Sequence, residues 1–348
     1  MKAERYDAWL EVSSGPVALT LRQELQPVLG NGAVFFPPTF APEEGSSDSP
    51  DYLIDDGVAL VDTVGSQANR MEPLFKTEPY ASLVPQARVK VGQREVDLLE
   101  AGHRAADALV RFSDKWEALR DAFAEVRDAG KATKLAKLAP TSIVFGAWDS
   151  RDTQAKLPRL VGSTIRAEGV KKYRRSAQYF SAFEKDEIED LGPAKALSDV
   201  GLNDAPSGRG PGGITATNIK REAVLNLVAL RALRGQGNEE TRKLQRYILG
   251  LGLVAFACEQ DGFLREGCLL VPHEGKPAET FAVLRQGKRE PITLPVNDAL
   301  EFAKAAAAEF GVGESWTATF DSDSAKASMQ KRGEKKAAKS KAETGKAK

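Results

Sequence analysis

The chain has 348 residues, 42% of them hydrophobic and 28% charged, which predicts a sizeable core in two domains or in one domain with large insertions. Its 49 basic and 49 acidic side chains give a formal net charge of zero, and this balance taken alone argues against a nucleic-acid-binding protein. No signal-peptide pattern opens the chain, and its longest apolar run, 247–258, is far shorter than the ~20 residues of a membrane span, so no membrane partner is expected.

The first part of the chain predicts strands on either side of a polar excursion. Residues 15–29 alternate between apolar and polar side chains, which is the pattern of a half-buried strand. Residues 30–56 are rich in Pro, Gly, Ser and acids and predict a surface excursion. A short strand is expected at 57–61, followed by a helix over 64–75 with Ser66 as its N-cap.

The middle of the chain predicts two helices and then two strands. Apolar residues at helical spacing mark one helix over 98–112 and a second over 116–126, behind the N-cap Asp114. Residues 141–148 predict a strand, and 159–167 alternate in polarity and predict another.

The second half mixes both kinds of element. Residues 184–213 are acidic and then rich in Gly, Pro and Ser, which indicates a mobile projection or arm. Buried helices are expected over 220–233 and 241–258. The other predicted elements are strands at 214–218, 263–271, 281–284 and 291–294, a helix from a cap at Asn297 or Asp298 to Phe310, and a disordered Lys-rich tail over 321–348. Because these elements show no steady βαβα alternation, the sequence predicts an α+β fold with one sheet and helices on one face.

Charge is segregated along the neutral chain. Residues 141–180 carry eight Lys or Arg against three acids, and 326–348 carry nine against two. Residues 41–62 carry seven acids and no base, and 184–204 carry seven acids against two bases. Such segregation allows one face to bind a polyanion while the whole molecule stays neutral. Alternatively, each run is only a solvated face.

Enzyme and metal motifs are not found in the sequence. It contains no P-loop, no dinucleotide-binding glycine pattern in the required strand–helix setting, and no zinc-protease or nucleophile-elbow motif. His103 and His273 are far apart in the chain. Cys258 and Cys268 predict buried thiols, which fits a reducing cytoplasm. No catalytic residue, cofactor or metal site is therefore predicted.

Polar clusters beside predicted strands are the remaining candidates. GSQANR at 65–70 joins small residues to a helix start and an arginine, a combination that suits a phosphate. WDSRDTQAKLPRL at 148–160 offers cations for phosphates and a tryptophan for stacking on a base. KKYRRSAQY at 171–179 interleaves cations with tyrosines, and the glycines of 210–214 permit close approach of a nucleotide backbone.

Each cluster also has a plain structural interpretation. The first could be an ordinary capped helix, and the second a solvated loop around a core tryptophan. The third could be an edge strand protected by charge, and the fourth a bare glycine turn. The four together favour binding of a single RNA strand along the surface.

These motifs also resemble a known family. VGSQANRMEPLF, FGAWDSRDTQAKLPRLVGSTIRA, RRSAQY and GPGGI, in this order, are similar to the backbone subunit of type I-G (formerly I-U) CRISPR surveillance complexes, a member of the RAMP superfamily. The resemblance covers roughly residues 15–312. It implies a modified RNA-recognition (ferredoxin-like) palm over 1–320 with inserted finger-like and thumb-like elements, and 184–213 is the candidate thumb or flexible arm.

The resemblance further implies a non-catalytic role in antiviral defence, in a Cascade-type effector complex of the cytoplasm. The implied partners are guide RNA, target DNA through the guide, further copies of the chain along the RNA, and the large and guide-processing subunits. Residues carried over as RNA-binding are Gln67, Asn69, Arg70, Trp148, Ser150, Arg151, Gln154, Lys156, Arg159, Arg174, Arg175, Gly212 and Gly213.

Two other functions stay open from the sequence. Some relatives in the superfamily cut RNA, so a metal-independent RNA endonuclease is one alternative. The other is a structural subunit that binds only proteins and whose basic loop is ordinary surface.

Overall fold

A computed structural model of the chain describes residues 4–42, 50–175 and 210–330, together with short pieces at 178–179, 197, 200, 202 and 205–206. The described part is a mixed α+β structure built on a large antiparallel sheet, so the predicted α+β class is confirmed. The strands in chain order are β1 (Ala18–Pro27), β2 (Ile54–Asp55), β3 (Val58–Asp62), β4 (Ala87–Val91), β5 (Arg94–Asp97), β6 (Ala147–Trp148), β7 (Lys156–Leu157), β8 (Val161–Glu168), β9 (Lys171–Arg175), β10 (Gln178–Tyr179), β11 (Ala205–Pro206), β12 (Gly210–Thr215), β13 (Asn218–Asn226), β14 (Phe263–Arg265), β15 (Cys268–Pro272), β16 (Glu279–Val283), β17 (Arg289–Pro291) and β18 (Trp316–Thr319).

Helices connect these strands. In chain order they are α1 (Val64–Met71), α2 (Ala108–Arg111), α3 (Trp116–Ala129), α4 (Thr133–Leu138), α5 (Thr141–Val144), α6 (Leu227–Arg231), α7 (Asn238–Ala257) and α8 (Val296–Phe310), and residues 322–330 are also helical. This last helix lies inside the tail that was expected to be disordered, and residues 331–348 lie outside the described part.

The main sheet has the strand order β14–β15–β1–β13–β8–β3–β2, with β16 beside the first half of β1 and β17 beside β16. All of its strand pairs are antiparallel. β13 lies at the centre and pairs with β1 from Asn226↔Ala18 to Ile219↔Leu25, and with β8 along its whole length. The two central strand pairs therefore fix the register of the fold.

Side chains on the two faces of this sheet differ sharply. Alternate residues of the central strands are buried on the face that meets the helices, namely Val161, Ser163, Ile165 and Ala167 of β8 and Ile219, Arg221, Ala223 and Leu225 of β13. On the opposite face Arg22, Arg166 and Val224 are exposed. Since successive strand residues point to opposite faces, this pattern places the helices on one side of the sheet, as predicted.

The core lies between the sheet and two long helices. In α7 every residue from Tyr247 to Phe256 is buried, because the helix is covered by the sheet on one side and by α8 on the other. A Cβ atom on Gly250 would lie 2.7 Å from Cα of Ala303, so the two helices approach closely there. Tyr247 stacks on Phe310 with ring centroids 4.7 Å apart. The predicted buried helix over 241–258 is confirmed.

The largest local error of the sequence prediction concerns 220–233. The segment was predicted to be a helix, but it contains most of the central strand β13 and then the short helix α6. Its residues 219–225 alternate between buried and partly exposed. The helical interpretation was wrong because β13 also carries the apolar Val224 on its open face, where it is 44% exposed.

Other predicted boundaries change as well. Residues 141–148, predicted as a strand, form α5 and only the two-residue strand β6. The helix predicted over 98–112 is replaced by short 3-10 turns and α2. The N-cap of α1 is Thr63, whose Oγ1 accepts a hydrogen bond from the backbone N–H of Ser66 at 3.1 Å. Ser66 therefore lies inside the first turn and does not cap it.

A two-stranded extension continues the sheet. β8 leads through Gly169 and Val170 into β9, and β12 leads into β13, so that β9 and β12 pair beyond the end of the β8–β13 pair. We call β9 and β12 the arm. Most of 184–213, the candidate thumb, lies outside the described residues.

The acid-rich excursion contributes to the base of the arm. Phe35 and Tyr52 are both buried, and the backbone of Phe35 pairs with that of Ile214 in β12. The backbone N–H of Gly213 donates to the hydroxyl of Tyr52 at 3.1 Å. The excursion at 30–56 therefore includes a packed anchor for the arm, and its residues 43–49 lie outside the described part.

Candidate nucleic-acid interface

Helix α1 holds three predicted RNA-binding residues, and two of them are directed into the protein. Gln67 is buried, donates to Oδ2 of Asp62 at 2.6 Å and accepts from the hydroxyl of Ser163 at 2.8 Å. Arg70 donates to the same Asp62 oxygen and to the backbone carbonyls of 263 and 264. The side chains of Gln67 and Arg70 thus tie α1 to the sheet, so the structure does not place them on an exposed surface together with the predicted cations of 151–159.

Asn69 lies on a different side of α1 and is exposed. Its Oδ1 accepts a hydrogen bond from Nη2 of Arg104 at 3.2 Å. Arg104 is itself 4% exposed and forms an ion pair with the buried Glu72, with 2.6 Å between Nε and Oε2. The buried Arg104–Glu72 ion pair therefore holds the Arg104 guanidinium in place as a hydrogen-bond donor to the exposed Asn69.

Strands β6 and β7 form a short hairpin whose loop is organised by one carboxylate. Asp149 is buried and accepts hydrogen bonds from the backbone N–H groups of Arg151, Asp152 and Thr153 and from the hydroxyl of Thr153. The loop also docks on α3, where Oδ2 of Asp152 lies 3.1 Å from Nε of Arg120. The hairpin is therefore held in one shape by local bonds, and its cations project from a fixed base.

The outer surface of this hairpin carries an exposed aromatic ring and two cations. Trp148 is 58% exposed, which excludes the alternative of a core tryptophan. Nζ of Lys156, opposite it in β7, lies 5.6 Å from the centre of the ring. Arg151 is exposed, and its side chain makes no hydrogen bond or ion pair with any described residue. Such a ring flanked by cations suits a base and its phosphate.

Arg159 stands at the base of the same hairpin. It is exposed, and no carboxylate in the described ranges forms an ion pair with it. A Cβ atom on Gly65 would lie 3.8 Å from its Nη2, and one on Gly146 would lie 2.8 Å from its Cγ. Glycines at 65 and 146 therefore leave room for Arg159 beside the first turn of α1. Burial lowers the pKa of Arg104, and the charge of Arg159 lowers it further, although Glu72 opposes both.

We call Asn69, Trp148, Arg151, Lys156 and Arg159 the hairpin patch. Three of the five are cations without a carboxylate partner among the described residues. One of them, Arg159, lies beside the first turn of α1, where backbone N–H groups also favour an anion. Ser150 and Gln154 belong to the loop itself, since the side chain of Gln154 donates to the carbonyl of Ser150 at 2.9 Å. Both residues shape the loop that carries the cations.

Replacing Asp149 with alanine should loosen the hairpin, because three backbone N–H groups and one hydroxyl lose their acceptor. Hydrogen bonds to a charged group each contribute roughly 1.5–3 kcal/mol, and water will replace part of that in this loop. We expect the free energy of unfolding to fall by about 2 kcal/mol in urea titrations. Asp152→Ala, which removes a neighbouring and more exposed carboxylate, should cost about 1 kcal/mol or less. Equal losses in the two variants would contradict the assigned role of Asp149.

The arm carries the remaining predicted residues. Lys172 of β9 forms an ion pair with Asp51, and the charge of Arg174 also acts on that carboxyl. Arg175 lies in β9 opposite Gly210, and its side chain is outside the described part. The cations of β9 thus partly face the acid-rich excursion.

Gly212 and Gly213 lie in β12, where the pairing with β9 is interrupted. Gly213 is buried with φ +89°, and a Cβ atom there would lie 2.5 Å from Cγ1 of Val34. This glycine is required for close packing of the excursion against the arm. Its prediction as an RNA-contacting residue rested on the right property, close backbone approach, but the described neighbour is protein.

The hairpin patch and the arm lie at opposite ends of β8, which continues into β9 of the arm. Arg159 precedes β8 and Arg174 follows in β9. At a rise of about 3.3 Å per residue, the eight residues of β8 that separate them extend over roughly 25 Å. A ligand that contacts both residues would therefore have to be an extended strand of several nucleotides.

The open face of the main sheet is less suited to a polyanion. Two of its cations are paired with carboxylates, Lys220 with Glu168 at 2.9 Å and Arg22 with Glu222 at 3.4 Å, whereas the exposed Arg166 forms no ion pair with a described residue. Each such pair is close to neutral and attracts phosphates only weakly. The hairpin patch is therefore the better candidate within the described residues.

Sequence reasoning missed Glu72, Arg104 and Asp149, which hold the patch in place. Glu72 and Arg104 are 32 positions apart, so nothing local marks them as partners. Asp149 could have been found, because an aspartate followed by a polar five-residue loop is typical of a turn that its side chain closes.

The described ranges contain no group of three or more His, Cys, Asp or Glu residues that could hold a metal ion. None of the helices in those ranges is long and apolar enough to cross a membrane. Cys258 and Cys268 are buried and unpaired, and burial raises the pKa of the Cys268 thiol to about 12.

Residues 19–172 match the model of a protein family described as CRISPR-associated protein GSU0053 (Cas_GSU0053). The match covers less than half of the chain. It runs from β1 to the start of β9 and includes α1 and every residue of the hairpin patch. No curated protein matches the sequence.

Proposed function

We propose that this CRISPR-associated protein is the non-catalytic guide-RNA-binding backbone subunit of a type I-G surveillance complex. The single observation that carries the proposal is the hairpin patch, where Lys156 lies over the exposed ring of Trp148 and where Arg151, Lys156 and Arg159 have no carboxylate partner among the described residues. The family match, which includes this patch, supports the same assignment.

The connectivity of the sheet supports a ferredoxin-like palm. Four of its strands follow the spatial order β15/β16–β1–β13–β8. Helix α1 lies on the connection from β1 to β8, and α7 lies on the connection from β13 to β15. This is the β-α-β-β-α-β arrangement of split βαβ folds. In the proposal, the arm and the elements inserted between α1 and β8 are the finger-like and thumb-like additions to that palm.

The proposed binding mode needs no base specificity. Exposed cations neutralise phosphates, and release of counterions supplies most of the affinity. Trp148 adds stacking on a base, which tolerates any sequence. Sequence is read by pairing of the guide with target DNA, and further copies of the chain along one guide add avidity to sites that are weak alone. The other proposed partners are the large subunit and the guide-processing subunit, and no catalytic step is assigned to this chain.

Arg159→Ala tests the proposal most directly. The side chain has no partner among the described residues, so its loss should leave stability unchanged while binding of single-stranded RNA weakens for unrelated sequences alike. The slope of log affinity against log salt should become shallower by about 0.7, the value for one phosphate contact on a single strand. Fluorescence anisotropy at several salt concentrations measures both. Arg94→Ala is the matched control, because Arg94 is an exposed arginine of the separate β4–β5 hairpin and should leave affinity and slope as in the wild type.

Other outcomes would favour other functions. Specific cuts in a precursor guide or in complementary RNA after incubation with the purified protein would identify an endonuclease. Failure of the wild type to bind RNA even at low salt would favour a subunit that contacts only proteins.

A further inference from the structure

Residues 331–348 are strongly basic, and we call them the basic segment. They hold eight of the 49 basic and two of the 49 acidic side chains of the chain, so the segment is net positive by six. Residues 1–330 therefore carry 41 basic against 47 acidic side chains and are net negative by six. At low salt, where charges act over long distances, the rest of the protein alone would repel a polyanion overall.

The described chain leads to the basic segment from beside the hairpin patch. The backbone N–H of Asp321 donates to the carbonyl of Phe112 at 2.6 Å, just before α3. The last described helix starts there, and its Ser324 lines an open pocket together with Trp116 of α3. Nε1 of Trp116 in turn donates to Oδ2 of Asp152 in the hairpin loop at 3.1 Å. The start of the last helix and the hairpin loop therefore both lie against the first turn of α3.

The last described helix lies on the surface. None of its residues 322–330 is buried, and Met329 near its end is 66% exposed. At a rise of 1.5 Å per residue, this helix is about 14 Å long. The eighteen residues of the basic segment can extend over as much as about 60 Å. The hairpin patch is therefore within reach of the basic segment, whichever way the helix points.

Carboxylates also lie near the start of this helix. Three of them already accept a hydrogen bond or form an ion pair with a neighbour, namely Asp114, Asp321 and Asp323. Glu117 and Asp121 of α3 are exposed and form no ion pair with a described residue. Two carboxylates cannot neutralise a segment with a net charge of +6, so most of its cations remain for another polyanion.

We propose that the basic segment is a second nucleic-acid-binding element, which binds the phosphates of nucleic acid held at the hairpin patch. The inference rests on the proposed function, because it takes the hairpin patch to hold RNA. Lysine suits this role, since its ammonium group binds phosphate as a point charge and needs no fixed geometry. Each contact releases counterions, so the segment adds affinity without base specificity. The phosphates can belong to the RNA itself or to a DNA strand paired with it.

The test replaces Lys335, Lys336 and Lys339 by glutamine in the full chain and follows binding of single-stranded RNA by fluorescence anisotropy. If one of these lysines contacts a phosphate, the slope of log affinity against log salt becomes shallower by about 0.7, and the affinity at about 0.05 M salt falls roughly tenfold. The melting temperature should stay that of the wild type, because the proposal gives these lysines no partner within the protein.

The matched control removes the same charge from another surface. Glutamine at Arg22, Lys276 and Lys288 removes three cations from the open face of the main sheet and its adjoining turns, where each already pairs with a carboxylate. Affinity should change threefold or less, with the slope unchanged. Equal losses in the two triple variants would overturn the inference, because overall charge alone would then account for both.

A variant with the order of residues 331–348 shuffled tests how the segment acts. Attraction to phosphates depends on charge and not on order, so this variant should bind RNA like the wild type. Loss of affinity on shuffling would contradict the inference. The inference would also fail if the three-lysine variant bound RNA like the wild type and melted at a lower temperature, since the segment would then bind carboxylates of the protein such as Glu117.

Comparison with Arg159→Ala separates this inference from the proposed function. If Arg159→Ala loses affinity and the three-lysine variant does not, the inference is wrong and the proposed function stands. If only the three-lysine variant loses affinity, the assignment of the hairpin patch is wrong, and the basic segment is supported as a nucleic-acid-binding element.

Titration with RNA paired to complementary DNA identifies the strand that the basic segment binds. An equal loss of affinity for single-stranded and paired RNA in the three-lysine variant assigns the phosphates to the RNA. A loss that appears only with the paired RNA assigns them to the DNA strand. No loss with either ligand would overturn the inference.

Discussion

Simultaneous replacement of Arg151, Lys156 and Arg159 by alanine should reduce the affinity for single-stranded RNA roughly fiftyfold at about 0.15 M salt. On a single strand, each lost phosphate contact makes the slope of log affinity against log salt shallower by about 0.7, so three lost contacts change it by about 2. Between 1 M and about 0.15 M salt, a slope change of about 2 corresponds to a roughly fiftyfold difference in affinity. The loss should shrink as salt increases. Stability should be unchanged, because none of the three side chains pairs with a carboxylate among the described residues.

The matched control removes the same charge from another surface. Arg88, Lys90 and Arg94 are exposed on β4 and β5, which pair with β18 outside the main sheet. Alanine at these three positions should change affinity only through the net charge of the molecule, by about threefold or less. If both triple variants lose affinity equally, the protein attracts RNA by overall charge and the hairpin patch has no special role.

Trp148→Ala separates stacking from phosphate binding in the same patch. Stacking on an aromatic ring contributes about 1–3 kcal/mol per base and involves no counterion, so affinity should fall while the salt slope stays the same. A shallower slope in this variant would mean that the ring acts mainly by positioning Lys156, which lies over it.

The sequence predicted the elements whose periodicity is unambiguous. β1 alternates between apolar and polar residues, and the second half of α7, from Tyr247 onward, is apolar on all sides, so both were found with nearly correct bounds. β13 was misassigned because Val224 lies on the open face, which makes a half-buried strand look like a helix covered on most sides. Periodicity reports burial only where each face has a uniform environment.

The candidate site was predicted in part. The hairpin residues were predicted to contact RNA, and the structure shows Trp148, Arg151, Lys156 and Arg159 exposed, as such contacts require. The direction of Arg70 was not predictable, since its acceptors are backbone carbonyls at 263 and 264, nearly two hundred positions away. The packing of Gly213 was not predictable for a similar reason, because its close neighbour Val34 comes from the distant excursion. Residue type predicts what a side chain can bind, and the fold decides which partner reaches it.

Glu72→Gln should remove the pH dependence that one buried carboxyl imposes on stability. Glu72 is 1% exposed and lies beside Arg104 beneath Asn69, and its Oε1 has no hydrogen-bond partner among the described residues. Burial raises the pKa of Glu72 to about 7, although Arg104 opposes the shift. In the unfolded chain the same carboxyl titrates near its ordinary value of about 4.3.

Because the folded pKa lies above the unfolded one, the contribution of Glu72 to stability is complete below about pH 4.3 and is lost as the pH rises through 7. A difference of more than two pH units at 1.36 kcal/mol each corresponds to on the order of 3 kcal/mol. Glutamine keeps the shape of the protonated acid and does not titrate. We therefore expect the variant to gain stability over the wild type as the pH rises. The difference in free energy of unfolding between Glu72→Gln and the wild type, measured in urea at each pH, should increase by on the order of 3 kcal/mol between pH 4 and pH 8. Glu95→Gln, at an exposed carboxyl of β5, should show no such trend. A difference between Glu72→Gln and the wild type that stays constant with pH would mean that Arg104 keeps Glu72 ionised throughout, and that the pair supports Asn69 as a fully charged bridge.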